Sequence, residues 1–275
     1  MSTQLALPAT KMTRKIKDNF RALVSSFREQ AISRATDNFF IGTLFFQPVL
    51  FTLLSVGIYR YGGKPDLSLY AVIGAGMIGI WNNNLWTSGS IVQDERRSGT
   101  LEFLVASPTS LEIILLGKSL SNAMASILAL GLTFATGLIA YRLPLEIQQP
   151  LAFLGAILLT LVAMTMLGML LGSLFVLARA AGQLATVLNY PIFILSGLTF
   201  PLTVLPLWIR PLSYSLVSTW GNLSLASAAG LASEWTITTT YLALTGLSAL
   251  YFVIGHYLYR LIDRLVREQG GLQQW

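Results

Sequence analysis

Covalent chemistry needs a nucleophile, a base or a metal-ligating set, and few residues of this chain qualify. Cysteine is absent and there is one histidine, His256. The 12 acidic residues fall in loops or at the ends of apolar runs, so no carboxylate pair stands inside one. With no nucleophile–base pair and no metal set, a membrane-embedded enzyme is not expected. His256 lies near the inner end of the last apolar run, among Tyr251, Tyr257 and Tyr259, and reads as an interfacial side chain. Two patterns imitate nucleotide sites. Gly74-Ala-Gly76-Met-Ile-Gly79 matches GxGxxG, but that fingerprint needs a preceding strand and an exposed helix N-terminus. Here the glycines sit inside an apolar run, where small residues let helices pack closely. Gly117-Lys118-Ser119 looks like the end of a Walker A loop, yet the position of its first glycine is Glu112. Neither pattern holds ATP, and no cofactor is expected on this chain.

Residues 93–110, Gln-Asp-Glu-Arg-Arg-Ser-Gly-Thr-Leu-Glu-Phe-Leu-Val-Ala-Ser-Pro-Thr-Ser, carry a different kind of signal. Gly99 suits a helix end. Leu101, Leu104 and Val105 share one face of a short helix over 100–107, which Pro108 terminates, and Thr109-Ser-Leu-Glu112 is a capping box for the next helix. A loop without a partner has no need of Leu101, Phe103, Leu104 and Val105. Docking into a groove of another protein explains them.

The elements that position this segment follow from composition. Hydrophobic residues make up 54% and charged residues 11% of the 275, against about 25% charged in a soluble domain. Apolar runs of about 20 residues with few or no charges match about 30 Å of hydrocarbon. Six are expected, at about 39–59, 67–92, 111–141, 151–177, 184–198 and 237–259, within a transmembrane domain spanning 38–265. Residues 1–37 and 266–275 flank it as cytoplasmic segments, and no signal peptide is expected at the N-terminus. The net charge of +6 reflects position rather than a nucleic-acid partner. With both termini inside, 14 of the 18 Lys and Arg fall on the cytoplasmic side and 4 outside, as the positive-inside rule requires. Tyr59, Tyr61, Tyr70 and Tyr141 then lie at outer boundaries, like an aromatic belt.

Two further elements stand out. Over residues 11–35, Met12, Ile16, Phe20, Leu23 and Phe27 share a helical face amid Lys and Arg, which predicts an amphipathic helix on the inner leaflet. A solvated basic tail is the competing reading. Pro201, Pro206 and Pro211 rule out a straight spanning helix over 199–220. The segment is apolar, so a re-entrant hairpin turning near Gly197–Pro201 is expected in place of a free external loop. Within the runs, Gly76, Gly79, Asn83, Thr87 and Ser90 form one stripe, flanked by Asn82 and Asn84. Helix packing and a role facing a transported molecule both fit it. Gln47-Pro48 marks a kink with the same two readings. Gly168 and Gly172 are read as packing within the chain.

The run Glu95-Arg-Arg-Ser-Gly-Thr-Leu-Glu-Phe-Leu-Val-Ala-Ser-Pro108 resembles the coupling-helix signature of ABC transporter type-2 permeases, the membrane subunits of drug and polysaccharide exporters. Leu195-Ser-Gly-Leu-Thr-Phe-Pro-Leu-Thr-Val-Leu-Pro-Leu-Trp-Ile-Arg-Pro211 is similar to that family's segment before its last span, although Val217-Ser-Thr-Trp220 stands where many relatives carry a proline. The resemblance implies an all-α polytopic fold: interface helix, two spans, coupling helix, three spans, re-entrant hairpin, last span. It implies that Glu95, Arg96, Gly99, Thr100, Leu101, Glu102, Phe103, Leu104 and Pro108 contact a separate ATPase subunit, which binds ATP and Mg and is present in two copies. It implies a second permease copy or related permease and a place in a bacterial cytoplasmic membrane. Gln47, Asn82, Asn83 and Thr87 become candidates for the translocation pathway, and Gly197, Phe200, Pro201, Pro206 and Trp208 for the hairpin. An ion-coupled secondary transporter is the alternative, but no inverted repeat or ionisable mid-membrane residue supports it.

Overall fold

A computed structural model describes residues 8–88, 91, 95, 98–99, 111–144, 146–177, 181–232 and 234–268. Among these residues every regular element is helical. Helix α1 (Pro8–Thr36) ends at a one-residue elbow. There the Asp37 carboxylate caps α2 (Asn38–Tyr61) by accepting from the backbone N–H groups of Phe39 and Phe40 at 2.9 and 3.1 Å. Pro48 lies inside α2 and removes one helical N–H. The Thr52 hydroxyl donates to the Pro48 carbonyl at 2.6 Å.

A 3-10 turn, Pro65–Leu67, leads into α3 (Ser68–Asn83). Almost every residue of α3 is buried, with Ile73, Met77, Ile80 and Trp81 in the main core. It is the central helix, lying against α2, α4 (Leu111–Tyr141) and α8 (Val217–Ala228). The chain continues as a π-helical stretch, Asn84–Ser88, widened over the asparagine cluster. Residues 91 and 95 are again helical, and Ser98-Gly99 form a turn. Helix α5 (Pro150–Leu177) packs on α9 (Ile237–Glu268) and α8, and buries Gly168 and Gly172 within the chain. Helix α6 (Ala181–Leu195) carries Pro191 and ends in the turn at Ser196–Gly197. A 3-10 turn, Leu202–Val204, and the short α7 (Arg210–Tyr214) lead to α8.

Among the described residues, four helical stretches are long and apolar enough to cross a membrane: Asn38–Tyr61, Ile113–Tyr141, Pro150–Phe175 and Ile237–Leu261. Their outward faces expose large apolar side chains such as Phe46, Ile58, Leu151 and Leu242, a surface suited to lipid and not to water. The second and fifth expected runs give shorter α-helices: α3 has 16 residues and continues into the π-helical Asn84–Ser88, and α6 has 15. Two boundaries differ from the sequence expectation. The helix after the proline-rich segment reaches Ala228, past residue 220, because its polar Ser218, Thr219, Asn222 and Ser224 are all buried in the bundle. Helix α9 continues to Glu268, past 259 and into the expected tail. Helix α1 packs on α4. Ser26 and Gln30 are buried on α4 with Leu23 and Phe27 partly buried, whereas Phe20 is 66% exposed beside Arg21 and Val24. The small and polar side chains allow the closer approach. Met12 and Ile16 fall outside the described side chains.

Candidate coupling site

Lys118 stands about two turns into α4, and its side chain is 5% exposed. A buried ammonium requires partners, and it has two. Its Nζ lies 2.6 Å from Glu95 Oε1, and it also pairs with Glu29 Oε2 of α1. One cation thus joins three segments: the interface helix, the stretch that leads into residues 100–107, and α4. Gly117 makes the junction sterically feasible. A Cβ there would sit 2.5 Å from the Leu23 carbonyl oxygen and 3.1 Å from Ser26 Cβ, so only glycine lets α1 lie directly on α4. Ser119 is buried alongside. The Gly-Lys-Ser triplet that imitates a phosphate loop is the seat of α1.

A second layer ties α3 into the same unit. Gln30 Nε2 donates to Asn122 Oδ1 at 3.3 Å. Asn83 Nδ2 donates to the Asn122 carbonyl at 2.5 Å and to Ser126 Oγ at 2.8 Å. Gly76 and Gly79 face Leu130 and Ala129 of α4 on the same stripe, so at these positions the stripe serves helix packing.

The opposite end of the bundle is fastened by a second cluster around Gly197. This residue adopts φ +67°, the left-handed region that glycine favours. Its carbonyl accepts from the Tyr70 hydroxyl and from Asn222 Nδ2, the latter at 2.9 Å. Asn222 Nδ2 also donates to the Tyr70 oxygen at 3.0 Å, and Ser196 and Ser218 share a hydroxyl–hydroxyl bond of 2.5 Å. Tyr59 donates to the Thr199 carbonyl at 2.8 Å. Gly74 leaves space for the Leu198 carbonyl to rest on α3, which is the packing role of the false nucleotide motif. Arg60 donates to the Tyr141 carbonyl at 2.5 Å, joining the ends of α2 and α4 nearby. The tyrosines expected at one boundary therefore do meet at one end, and Lys118 with its carboxylates lies at the other.

Of the residues expected to contact an ATPase, Glu95 is helical and turned inward to Lys118, and Gly99 occupies a turn with φ +69°. Arg96, Thr100, Leu101, Glu102, Phe103, Leu104 and Pro108 lie outside the described residues. Among the pathway candidates, Gln47 is partly buried next to the kink, and Asn83 is engaged with α4. Asn82 is buried, with no hydrogen-bond partner for its Oδ1 among the described residues. The Thr87 side chain is outside the description. In the expected hairpin, the Phe200 carbonyl accepts from Tyr70 at 3.3 Å and Pro201 precedes the 3-10 turn. The Pro206 carbonyl accepts from the Ile209 N–H at 3.0 Å, and Trp208 is 80% exposed. Sequence reasoning passed over Glu29 and Asn222, and read Lys118 only in a false Walker motif and Tyr70 only as a boundary aromatic. Lys118 carried a usable signal, a charge inside an apolar run. The other three needed the fold.

The comparison with known families agrees with this geometry. The model of the ABC-2 type transporter family matches residues 21–228, from α1 through the end of α8. No curated protein matches the chain. The family match takes in the Lys118 junction, the 93–110 segment and the Gly197 cluster together, and the chain belongs to the ABC-2 type transporter family.

Proposed function

We propose that this permease component is the membrane half of an ATP-driven exporter, with ATP and Mg bound by a separate ATPase subunit in two copies. Permeases of this family work with an ABC ATPase partner. The observation that carries the reading is the Lys118 junction, because it anchors the residues just before 100–107 to both α1 and α4. Force applied to a helix at 100–107 by a closing ATPase then reaches the interface helix α1 and the membrane helix α4 through the Lys118 ion cluster. In this reading α3 with its π-helical extension, and α6, complete six crossings. Helix α8 returns through the bundle as the re-entrant limb, which its contact with Met77 and Thr160, mid-way along α3 and α5, supports. Both termini are cytoplasmic in a bacterial inner membrane, and α1 rests on the inner leaflet. A second permease copy faces the first, with Gln47 and Asn82 proposed along the pathway, and the cargo is an amphiphilic drug, a lipid or a lipid-linked glycan.

Purification of the tagged chain from native membranes in mild detergent tests the partner: an ATPase subunit is expected to co-purify. In the purified complex, Leu104→Arg or Glu102→Arg should preserve ATP hydrolysis and abolish transport. Unchanged transport removes the docking role of 100–107. Uptake driven by an ion gradient in ATP-free liposomes would instead establish the secondary-transport reading.

A further inference from the structure

Where α1 hands over to α2, these two helices and α4 enclose a laterally open groove of about 520 Å³, within the usual size of ligand pockets. Its walls are apolar, built from Phe27 and Ala31 of α1, Phe40 and Leu44 of α2, and Met124 and Leu128 of α4. It opens toward the outer surface of the bundle, where Met124 and Leu128 are 51% and 61% exposed. Its polar edge holds Arg34, whose guanidinium stands 5.2 Å above the Phe40 ring. That stacking fixes a cation at the mouth of a hydrocarbon-lined slot. The Asp37 elbow marks the level, since it is where the basic helix gives way to the first long apolar one. Arg21 and Arg28 are exposed on the same basic helix.

We propose that this groove is a binding site for one anionic phospholipid of the leaflet next to α1, an acyl chain lying in the slot and the phosphate against the Arg34 guanidinium. Both halves of the occupant follow from the lining. The apolar walls facing the lipid side select hydrocarbon, and the fixed cation selects an anionic head. A zwitterionic lipid carries the same phosphate, but its own ammonium offsets that charge and so it gains less from the cation. The occupant would also wedge α1 against α2 and α4 beside the Lys118 junction, making the posture of the interface helix sensitive to acidic lipid. The inference rests on the chain being a membrane protein and not on its coupling to ATP.

The test is lipid retention. The full permease is placed in nanodiscs of equal parts phosphatidylglycerol and phosphatidylcholine, released, and weighed by native mass spectrometry with its bound lipids. Wild type should retain phosphatidylglycerol over phosphatidylcholine by about fivefold, the effect of one basic residue near an anionic head. Arg34→Gln should abolish that preference and Arg34→Lys should largely keep it. Leu128→Trp, at an exposed wall position, should fill the slot and lower retention of both lipids. A phosphatidylglycerol preference that survives Arg34→Gln overturns the proposal. So does unchanged lipid retention in Leu128→Trp, including the case in which that variant blocks transport, because the groove would then belong to cargo. None of these readouts needs the ATPase, so this result and the export reading can fail separately.

Discussion

Lys118 should be energetically coupled to Glu95 far more than to Glu29, although it pairs with both. At 2.6 Å from Glu95 Oε1, the attraction in an effective dielectric of about 20 is about 6 kcal/mol before desolvation is subtracted. Both partners are shielded, with side chains 5% and 14% exposed, so little of this is screened by water or salt. Removing one member of such a pair strands the other charge and costs about 3–5 kcal/mol. The Glu29 side chain is 57% exposed, and a pair with one solvated partner contributes about 0–1 kcal/mol. Two double-mutant cycles, Lys118→Met with Glu95→Gln and Lys118→Met with Glu29→Gln, separate the terms, because other contacts of each carboxylate cancel within a cycle. Unfolding by SDS titration in mixed micelles provides the free energies. The first coupling should exceed about 1.5 kcal/mol and the second should stay below about 1 kcal/mol. Equal couplings, or a larger one for Glu29, would show that burial does not govern this junction, and the mechanical role built on it would go too.

Three other perturbations probe separate parts of the architecture. Gly117→Val puts a branched side chain where a Cβ alone already lies 2.5 Å from the Leu23 carbonyl oxygen, so α1 must lift from α4. Trypsin should then cut at Arg28 and Arg34 faster than in wild type, and an unchanged digestion pattern refutes the close seat. At the opposite end, Tyr70→Phe and Asn222→Ala each leave the Gly197 carbonyl one donor and should cost about 1 kcal/mol apiece. The double variant leaves it buried with none and should cost clearly more than the sum, measured as loss of thermal stability; simple additivity contradicts the shared acceptor. Gly74→Ala drives a methyl group into the Leu198 carbonyl and should sharply lower the yield of folded protein. Its control, Gly131→Ala, has nothing within 4 Å and should be neutral or gain up to about 1 kcal/mol of helix propensity. Equal yields would argue against the tight α3–hairpin contact.

Much of this protein is written in one-dimensional pattern. The third and fourth apolar runs, 111–141 and 151–177, coincide within a residue with α4 and α5. Length and hydropathy alone specify such helices, since in hydrocarbon each backbone group must bond within its own segment. The charge between runs, the capping box and Pro108 likewise predict a short helix over 100–107, which lies outside the described residues. Interactions between distant segments left no comparable trace. Glu29 and Glu95 are ordinary in their local context and Lys118 shows only as a charge in an apolar run; the approach of α1 to α4 over Gly117 is what brings the three together. The contact of α1 with α4 is not legible in the hydrophobic pattern, because it is made by small and hydrogen-bonding side chains, Ser26 and Gln30, while Phe20 of the apolar stripe stays exposed. Tyr70 and Asn222, 152 residues apart, converge on one carbonyl. Periodicity and composition report what a segment needs from its solvent, and for that reason they settled the class of the protein; which polar groups satisfy one another is decided by helix packing, and only the tertiary structure contains it.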